Sequence, residues 1–336
     1  MRIGADDSVL RWAAVGTGTI SRSVVPDIQA VPGAEVVVVQ SRDAAKAARF
    51  AEEFGIPRST GQFQEVLDDA DVDIVYLATP FAVHHPMARQ VLEAGKHLLV
   101  EKPIALNAAE AADLFALAGA RGCFLMEAMW MKFSPAFVSL HEQLRDGVIG
   151  EPRNLRASFG IPFPDDTGSR TDLSRSGGAL LDQGIYPVTL AHSVFGEPIS
   201  VHAAGSVRAD GLDFASHFTL EFSDGRYAQG ASSMVEFSEL TASVGGRSGW
   251  LTLAAPFWAT TDLEVHAGDL RRVFREPGMI VHQREGSGYV PMIRAVMQAL
   301  ADGLIEHPVH GADDTIAVFR TLDAILTQIR ASERAT

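Results

Sequence analysis

Short apolar runs alternate with helix-like segments between Trp12 and about Glu127, and this alternation is the strongest constraint on the fold. One of the runs, residues 36–39, is continuous valine, which is typical of a strand covered by helices on both faces. Repeated β-α units of this kind predict a doubly wound parallel sheet with right-handed crossovers. The predicted strands are residues 11–16, 34–42, 72–80 and 97–103, and the predicted helices are residues 19–31, 44–55, 84–96 and 107–122.

The second half of the chain has a different pattern. Residues 214–237 alternate apolar and polar side chains on both sides of Asp224-Gly225, which predicts a β-hairpin, and residues 239–256 repeat the pattern. Amphipathic helices are predicted at 290–303 and 313–332, covering one face of this sheet. The predicted class is α/β: an N-terminal Rossmann domain, residues 10–127, and a C-terminal α+β domain, residues 128–336, with a large, mostly antiparallel open sheet.

Charge and composition exclude several function classes. The 336 residues carry a net charge of −14, which disfavours nucleic acid and anionic membrane surfaces as partners. The single cysteine, Cys123, lies in an apolar run and is predicted to be a buried structural thiol. Residues 1–10 lack the apolar core of a signal peptide, so a cytoplasmic location is expected.

A glycine-containing turn follows the first predicted strand. Its residues Gly16, Thr17, Gly18, Thr19 and Ile20 would let the backbone approach a dinucleotide pyrophosphate at a helix N-terminus. Ser21 occupies the third position of the fingerprint, where glycine or alanine is usual. The turn alone is a weak signal, and its βαβ context makes it a predicted dinucleotide site.

The end of the second strand should select between the two nicotinamide dinucleotides. An NAD site places an acidic residue there, whereas a 2′-phosphate suits an arginine. Ser41 and Arg42 occupy this position, and Asp43 is better placed to cap the next helix. We therefore predict NADP(H) rather than NAD(H), with an exposed surface arginine as the alternative interpretation of Arg42.

A lysine is held in a rigid bend just past the fourth predicted strand. In the stretch from Leu98 to Leu106, Glu101 and Lys102 are followed by Pro103, which fixes its own φ and restricts the residue before it. Because strand carboxyl ends face the cofactor crevice in such sheets, the Lys102 ammonium is expected to reach nicotinamide and substrate. The alternative is a solvent-facing loop lysine.

Asp182 and Tyr186 are spaced to share one face of a helix that follows Gly177-Gly178. Oxidation of a carbinol needs a proton acceptor. A tyrosine has a pKa of ~10, and for it to act as a base at neutral pH this pKa must be lowered by about 3 units, which corresponds to about 4 kcal/mol. One ammonium at ~4 Å supplies about this much at an effective dielectric constant of ~20. Lys102 and Tyr186 are therefore sufficient as an acid/base pair, although a structural tyrosine remains an alternative.

The chain resembles the glucose–fructose oxidoreductase/inositol dehydrogenase/MocA-like oxidoreductases over nearly its whole length. The resemblance rests on the glycine turn, on Ala78-Thr79-Pro80 with His84, and on the segments 94–103 and 177–188. Residues 127–130, Glu-Ala-Met-Trp, and Tyr186 are most similar to the branch of dimeric dihydrodiol dehydrogenase and NADP-dependent D-xylose 1-dehydrogenase. The resemblance implies an NADP-binding first domain and an open sheet that serves substrate binding and subunit contacts, in a homodimer or homotetramer.

The resemblance also assigns roles to individual residues. It places Lys102 in the catalytic group, and we expect Tyr186 and Asp182 to act with this lysine. We also expect Thr79, Pro80, His84 and Glu101 to belong to the cofactor site. Glu101 could instead orient the bend. We expect the substrate to contact Trp130, Phe163 and Arg170 as well as Asp182 and Tyr186, but Trp130 could be a core residue and Arg170 a surface residue. His84-His85 lacks the neighbours of a metal site, and no metal is predicted.

The sequence is compatible with three functions. The first is an NADP(H)-dependent oxidoreductase of an unphosphorylated sugar, polyol or trans-dihydrodiol. The second is a non-catalytic NADP-binding sensor or regulator of the same fold, against which the presence of Lys102, Asp182 and Tyr186 argues. The third is a methyltransferase-like Rossmann protein, whose second strand would end in an acidic residue.

Overall fold

The computed structural model describes residues 9–163, 170–175 and 177–333. The N-terminal segment, on which the expected cytoplasmic location rests, lies largely outside these ranges. The chain divides into two compact units. The first comprises residues up to Phe133 together with Arg284–Thr315, and the second comprises Ser134–Gln283 and the residues from Ile316 onward.

The first unit contains the predicted Rossmann sheet. Its six strands are all parallel, in the order β3-β2-β1-β4-β5-β6. The central strands are buried on both faces, in agreement with their apolar sequences. The strands are β1 Leu10–Val15, β2 Ala34–Gln40, β3 Arg58–Thr60, β4 Ile74–Leu77, β5 His97–Val100 and β6 Leu125–Glu127.

The second unit contains an eight-stranded sheet in the order β14-β13-β12-β11-β7-β10-β9-β8. Among the described strands of this sheet, only β7 and β10 pair in parallel, so the predicted, mostly antiparallel sheet is confirmed. Asp224 and Gly225 turn the β9-β10 hairpin with φ angles of 61° and 69°. The strands are β7 Pro152–Gly160, β8 Ser200–Val207, β9 Asp213–Glu221, β10 Tyr227–Ser233, β11 Ala242–Gly246, β12 Gly249–Leu253, β13 Asp262–Ala267 and β14 Gly278–Val281.

The helices begin and end largely where the sequence places them. Asn107 caps α5 by accepting a hydrogen bond from the Glu110 N–H at 2.9 Å, and Gly122 ends that helix in a left-handed conformation. Among the described residues, no helix has the length and apolarity needed to cross a membrane. The helices are α1 Thr19–Gln29, α2 Ala44–Phe54, α3 Phe63–Asp68, α4 His84–Glu93, α5 Ala108–Arg121, α6 Pro135–Arg145, α7 Ile185–Phe195, α8 Leu270–Phe274, α9 Val290–Ala301 and α10 Ala312–Glu333.

The division of the chain differs from the predicted boundary at residue 127. Helix α9 belongs to the first unit, where the carboxylate of Asp27 on α1 accepts hydrogen bonds from the N–H groups of Ser287 and Tyr289 just before α9 begins. The expectation that this helix covers the second sheet is therefore corrected. The amphipathic pattern shows that one face of α9 is buried, but it does not specify the partner.

Candidate active site

The glycine turn joins β1 to α1 and fits a bound pyrophosphate. Gly16 has φ +108°, and a Cβ there would lie 2.2 Å from the Ala78 carbonyl oxygen, so only glycine fits. A Cβ on Gly18 would meet no heavy atom within 4 Å, so space is open beside the start of the helix. Neither a capping side chain nor an acidic residue occupies the first turn of α1, which therefore suits an anion.

The end of β2 is arranged as predicted. Asp43 caps α2 by accepting a hydrogen bond from the Lys46 N–H at 3.0 Å. The Ser41 hydroxyl accepts from the Asp43 N–H at 3.3 Å, and the Arg42 side chain is exposed. Because Asp43 is engaged in the cap, Ser41 and Arg42 remain as the polar groups of this corner.

The residues that follow β4 connect it to the lysine bend. The Thr79 hydroxyl is buried without a hydrogen-bond partner among the described residues, which fits a polar ligand beside Thr79-Pro80. His84 is fully buried, with Nδ1 2.7 Å from the Pro103 carbonyl oxygen and Nε2 2.7 Å from that of Thr79. Burial lowers the pKa of His84, although the contacts with the two carbonyl oxygens act in the opposite direction and raise it. His85 instead contacts Asp113 at 2.8 Å, so the two histidines do not share a ligand.

Hydrogen bonds hold the backbone of the lysine bend on both sides of one peptide. The Pro103 carbonyl lies against His84, and the Ile104 N–H donates to Glu127 Oε1 at 2.9 Å. Lys102 itself is partly buried, and its Nζ lies 5.7 Å from the centre of the Phe81 ring. The backbone around this lysine is therefore fixed at the carboxyl end of β5.

Glu101 is anchored beside Lys102. Its Oε1 accepts a hydrogen bond from the Tyr76 hydroxyl at 2.8 Å, and the side chain is buried. Burial raises the pKa of Glu101 to about 7, although the Tyr76 hydrogen bond and the Lys102 charge lower it. Glu101 therefore titrates near neutral pH, which the sequence did not indicate.

In the second unit, Asp182 and Tyr186 lie on consecutive helical segments. The sequence predicts one α-helix, but residues 180–184 form a π-helical turn that leads into α7. Asp213, on β9, accepts a hydrogen bond from the Leu180 N–H at 2.6 Å and so caps this turn from another strand. Gly178 has φ +88°, and a Cβ there would lie 1.9 Å from Asp213 Oδ1.

Arg170 is placed by an ion pair and an aromatic ring. Its Nε donates to Asp182 Oδ2 at 3.0 Å, and its guanidinium carbon lies 4.3 Å from the centre of the Phe163 ring. The Asp182 side chain is buried, while that of Arg170 is 46% exposed. The structure thus brings together three predicted substrate residues, Phe163, Arg170 and Asp182.

The ring of Tyr186 belongs to an aromatic cluster that the sequence did not predict. Phe159 on β7 and Trp258 stack in parallel with ring centres 3.6 Å apart, and the Tyr186 ring lies 5.7 Å and 5.9 Å from them. Tyr186 is buried, while Phe159 and Trp258 are partly exposed. No pattern in the sequence could have linked these residues, since they come from distant segments.

Trp130 lies in the first unit, where it is 7% exposed and packs on Tyr289 with ring centres 4.5 Å apart. The buried thiol of Cys123 is also confirmed in this unit, and burial raises its pKa. In this unit the predicted cofactor residues follow β1, β2, β4 and β5, whose carboxyl ends share one edge of the sheet. They are Gly16 to Ile20, Ser41, Arg42, Thr79, Pro80, His84, Glu101 and Lys102.

Curated relatives are similar to almost the whole chain. The trans-1,2-dihydrobenzene-1,2-diol dehydrogenase of Mus musculus is 35% identical over 306 residues, covering 89% of this chain and 91% of the relative. The enzyme of the same name from Homo sapiens is 33% identical over 307 residues, covering 89% and 91%.

Two solved structures are also similar. One is KijD10, a 3-ketoreductase from Actinomadura kijaniata in complex with NADP and TDP-benzene, with a TM-score of 0.85, 29% identity and coverage of 95% and 98%. Further structures of it carry substitutions of a lysine or of a tyrosine. The other is the aldose-aldose oxidoreductase from Caulobacter crescentus complexed with glycerol, with a TM-score of 0.84, 25% identity and coverage of 96% and 98%.

Family models match both halves of the chain. The description "Oxidoreductase family, NAD-binding Rossmann fold" applies to residues 10–129, and "GFO/IDH/MocA C-terminal domain" applies to residues 137–252. Together with the glycine turn and the anchored lysine bend, these matches show that the chain belongs to the Gfo/Idh/MocA family of oxidoreductases.

Proposed function

We propose that this protein transfers hydride between NADP(H) and a carbinol or carbonyl carbon of an unphosphorylated sugar, polyol or trans-dihydrodiol. The observation that carries the proposal is the fixed backbone around Lys102, at the same sheet edge as the glycine turn. Relatives named as diol dehydrogenases and a sugar oxidoreductase support the substrate class.

The preference for NADP(H) is supported by the corner after β2. Asp43 is engaged in capping α2, and the exposed Arg42 can pair with a 2′-phosphate. The similar 3-ketoreductase is described in complex with NADP. When bound, the nicotinamide would supply or accept the hydride.

Tyr186 is proposed as the proton donor and acceptor for the substrate oxygen, with Lys102 favouring its ionised form. The family resemblance assigns Lys102 to the catalytic group, and Tyr186 is proposed as its partner because carbinol oxidation needs a proton acceptor. The aromatic contacts of Tyr186 restrict its ring, as an acid/base group requires. In the same proposal Asp182, oriented by Arg170, accepts a hydrogen bond from a substrate hydroxyl.

The surroundings of Tyr186 support the proposed substrate class. The partly exposed stack of Phe159 and Trp258 suits the apolar face of a ring, and Asp182 suits its hydroxyls. The charge of Arg170 is already paired with Asp182, which disfavours a phosphorylated substrate. Trp130 and Phe163 are proposed as further apolar contacts.

We also propose a cytoplasmic homodimer or homotetramer that associates through the open face of the second sheet. Exposed side chains of four adjacent strands lie on this face, namely His202, His217, Gln229 and Arg156. Sedimentation velocity would measure the oligomeric state, and a monomer at micromolar concentration would contradict this part of the proposal.

The test is a substrate panel of pentoses, hexoses, inositols, trans-dihydrodiols and α-dicarbonyls, read as absorbance at 340 nm with each dinucleotide. We expect NADP⁺-dependent oxidation of an aldose such as D-xylose or of a trans-dihydrodiol. Phosphorylated and nucleotide-linked sugars complete the panel, and turnover restricted to them would contradict the proposed substrate. Tight NADPH binding without turnover on any panel member would favour the sensor or regulator.

A further inference from the structure

Glu127 is buried directly behind the lysine bend. It is the last residue of β6, and its side chain is 1% exposed. Oε1 accepts the hydrogen bond from the Ile104 N–H at 2.9 Å, and Oε2 lies 2.9 Å from Nε2 of His310. A buried carboxylate is costly unless such partners satisfy it, so His310 keeps the acceptor of the Ile104 N–H in place.

The polar contacts continue from His310 toward the surface. Lys132 Nζ lies 3.5 Å from Nδ1 of His310 and 2.8 Å from Asp314, whose side chain is 53% exposed. An ammonium can only donate, so Nδ1 of His310 is the acceptor and Nε2 carries the hydrogen. Burial and the charge of Lys132 both lower the pKa of His310, which agrees with this neutral tautomer.

We propose that Glu127 and His310 are positioning residues for Lys102. They hold the Ile104 N–H, while His84 holds the carbonyl on the other side of the same peptide. Neither Glu127 nor His310 touches the substrate in this proposal; both act through the backbone two residues beyond the lysine. The inference rests on the proposed role of Lys102 in hydride transfer.

The physical reason lies in the flexibility of lysine. Four rotatable bonds separate its ammonium from the backbone, so the direction of the chain at Lys102 sets the region that the ammonium can reach. A displacement of ~1 Å at a reacting group can cost ~10²-fold in rate. Loss of the Glu127 acceptor frees the peptide on one side and lets the bend rotate.

The principal variant is His310→Phe, which keeps a ring of similar size but removes the donor to Glu127. We expect kcat to fall about tenfold, because misplacement of the ammonium weakens catalysis, while the Kd of NADPH, measured by fluorescence, changes less than about threefold. Lys96→Met is the matched control at the other end of β5. Its buried ammonium donates to the carbonyls of Asp69 and Val72, and its loss should leave kcat unchanged.

The decisive measurement adds each substitution to Lys102→Ala. A residue that acts through Lys102 has no further effect once the ammonium is gone, so kcat of the double variant should equal that of Lys102→Ala within about twofold. A repeated tenfold loss in the double variant, or an unchanged kcat in His310→Phe, would overturn the inference. An unchanged kcat in Lys102→Ala would instead overturn the proposed role of the lysine.

Thermal unfolding of each variant shows whether it folds. If His310→Phe does not fold, Glu127→Gln provides the same test, since its amide retains an oxygen for the Ile104 N–H but loses the charge and the second acceptor. Its kcat should fall about three- to tenfold, and the loss should again disappear in the Lys102→Ala background. If the kcat losses of Glu127→Gln and Lys102→Ala instead multiply in the double variant, the inference is contradicted.

Discussion

At the lysine bend, hydrogen bonds fix the backbone, whereas around Tyr186 neighbouring rings pack against the side chain itself. Pro103 and Ile104 are held by His84 and Glu127, and the long side chain of Lys102 extends from a fixed base. Tyr186 has few rotatable bonds, so Phe159 and Trp258 can restrict it directly. A long, flexible side chain is positioned through its backbone, whereas a short, rigid one is positioned by the packing of its own ring.

The largest expected effect tests both regions together. Lys102→Ala and Tyr186→Phe should each lower kcat by roughly 10²- to 10⁴-fold, the range for loss of acid/base catalysis. NADPH should still bind to both variants. Their double variant should lose less than the product of the two effects, because the two residues act together in the proposed mechanism. Steady-state kinetics checks this, and an intact kcat in Tyr186→Phe would make Asp182 the first candidate for the base.

The second prediction uses the pKa of Glu101, next to the lysine. This pKa is about 7 in the folded chain and 4.5 in its ordinary state, so the folded chain binds the proton more tightly. The contribution of Glu101 to stability is therefore present at low pH and is lost as the pH rises through 7. The side chain of Glu101→Gln is neutral at every pH, so the variant lacks this pH dependence. The free energy of unfolding of the variant minus that of the unmutated protein should therefore increase by about 2.5 kcal/mol from pH 5 to pH 8.

Urea unfolding at the two pH values measures this difference. Glu52→Gln, exposed on α2, is the control and should follow the unmutated protein. If Glu101→Gln also follows the unmutated protein, the carboxyl group is ionised at both pH values and is not part of the buried anchoring of the bend.

The third prediction concerns Asp213, which caps the π-helical turn that leads into α7. Gly178→Ala should reduce the free energy of unfolding of the second unit by about 3 kcal/mol, from the collision with Asp213 and the strain of a positive φ. Gly147→Ala is the control, with φ +71° but no heavy atom within 4 Å of the added Cβ, and should cost about 1 kcal/mol. Equal costs in denaturant unfolding would mean that Asp213 moves aside easily and does not fix the turn.

The smallest expected effect is confined to the cofactor site. Arg42→Ala should weaken NADP(H) binding about tenfold, ~1.4 kcal/mol, and leave NAD(H) binding and the KM of the substrate unchanged. Fluorescence titration with both dinucleotides checks this, with Arg49→Ala on α2 as the control for a lost surface charge. Equal affinities for the two dinucleotides in the unmutated protein would contradict the assignment of the β2 corner.

The features predicted correctly depend on residues that are close in the chain. The glycine turn, the Asp43 cap and the Asp224-Gly225 hairpin all follow from short-range backbone rules. The position of α9, the Phe159–Trp258 stack and the His310 contact depend on residues far apart in the chain. Periodicity shows that a face is buried, but it does not show which distant side chain covers it.

The return of residues 284–315 to the first unit has a consequence for the order of folding. His310 follows its partner Glu127 by 183 residues, so the polar contacts behind the lysine bend can form only after this long intervening segment has been translated. Contacts of such long range form slowly, because a large loop must close first. A nascent chain that ends before residue 284 would contain all six strands of the Rossmann sheet but would lack both α9 and His310, so the first unit could not complete its packing until those residues are made.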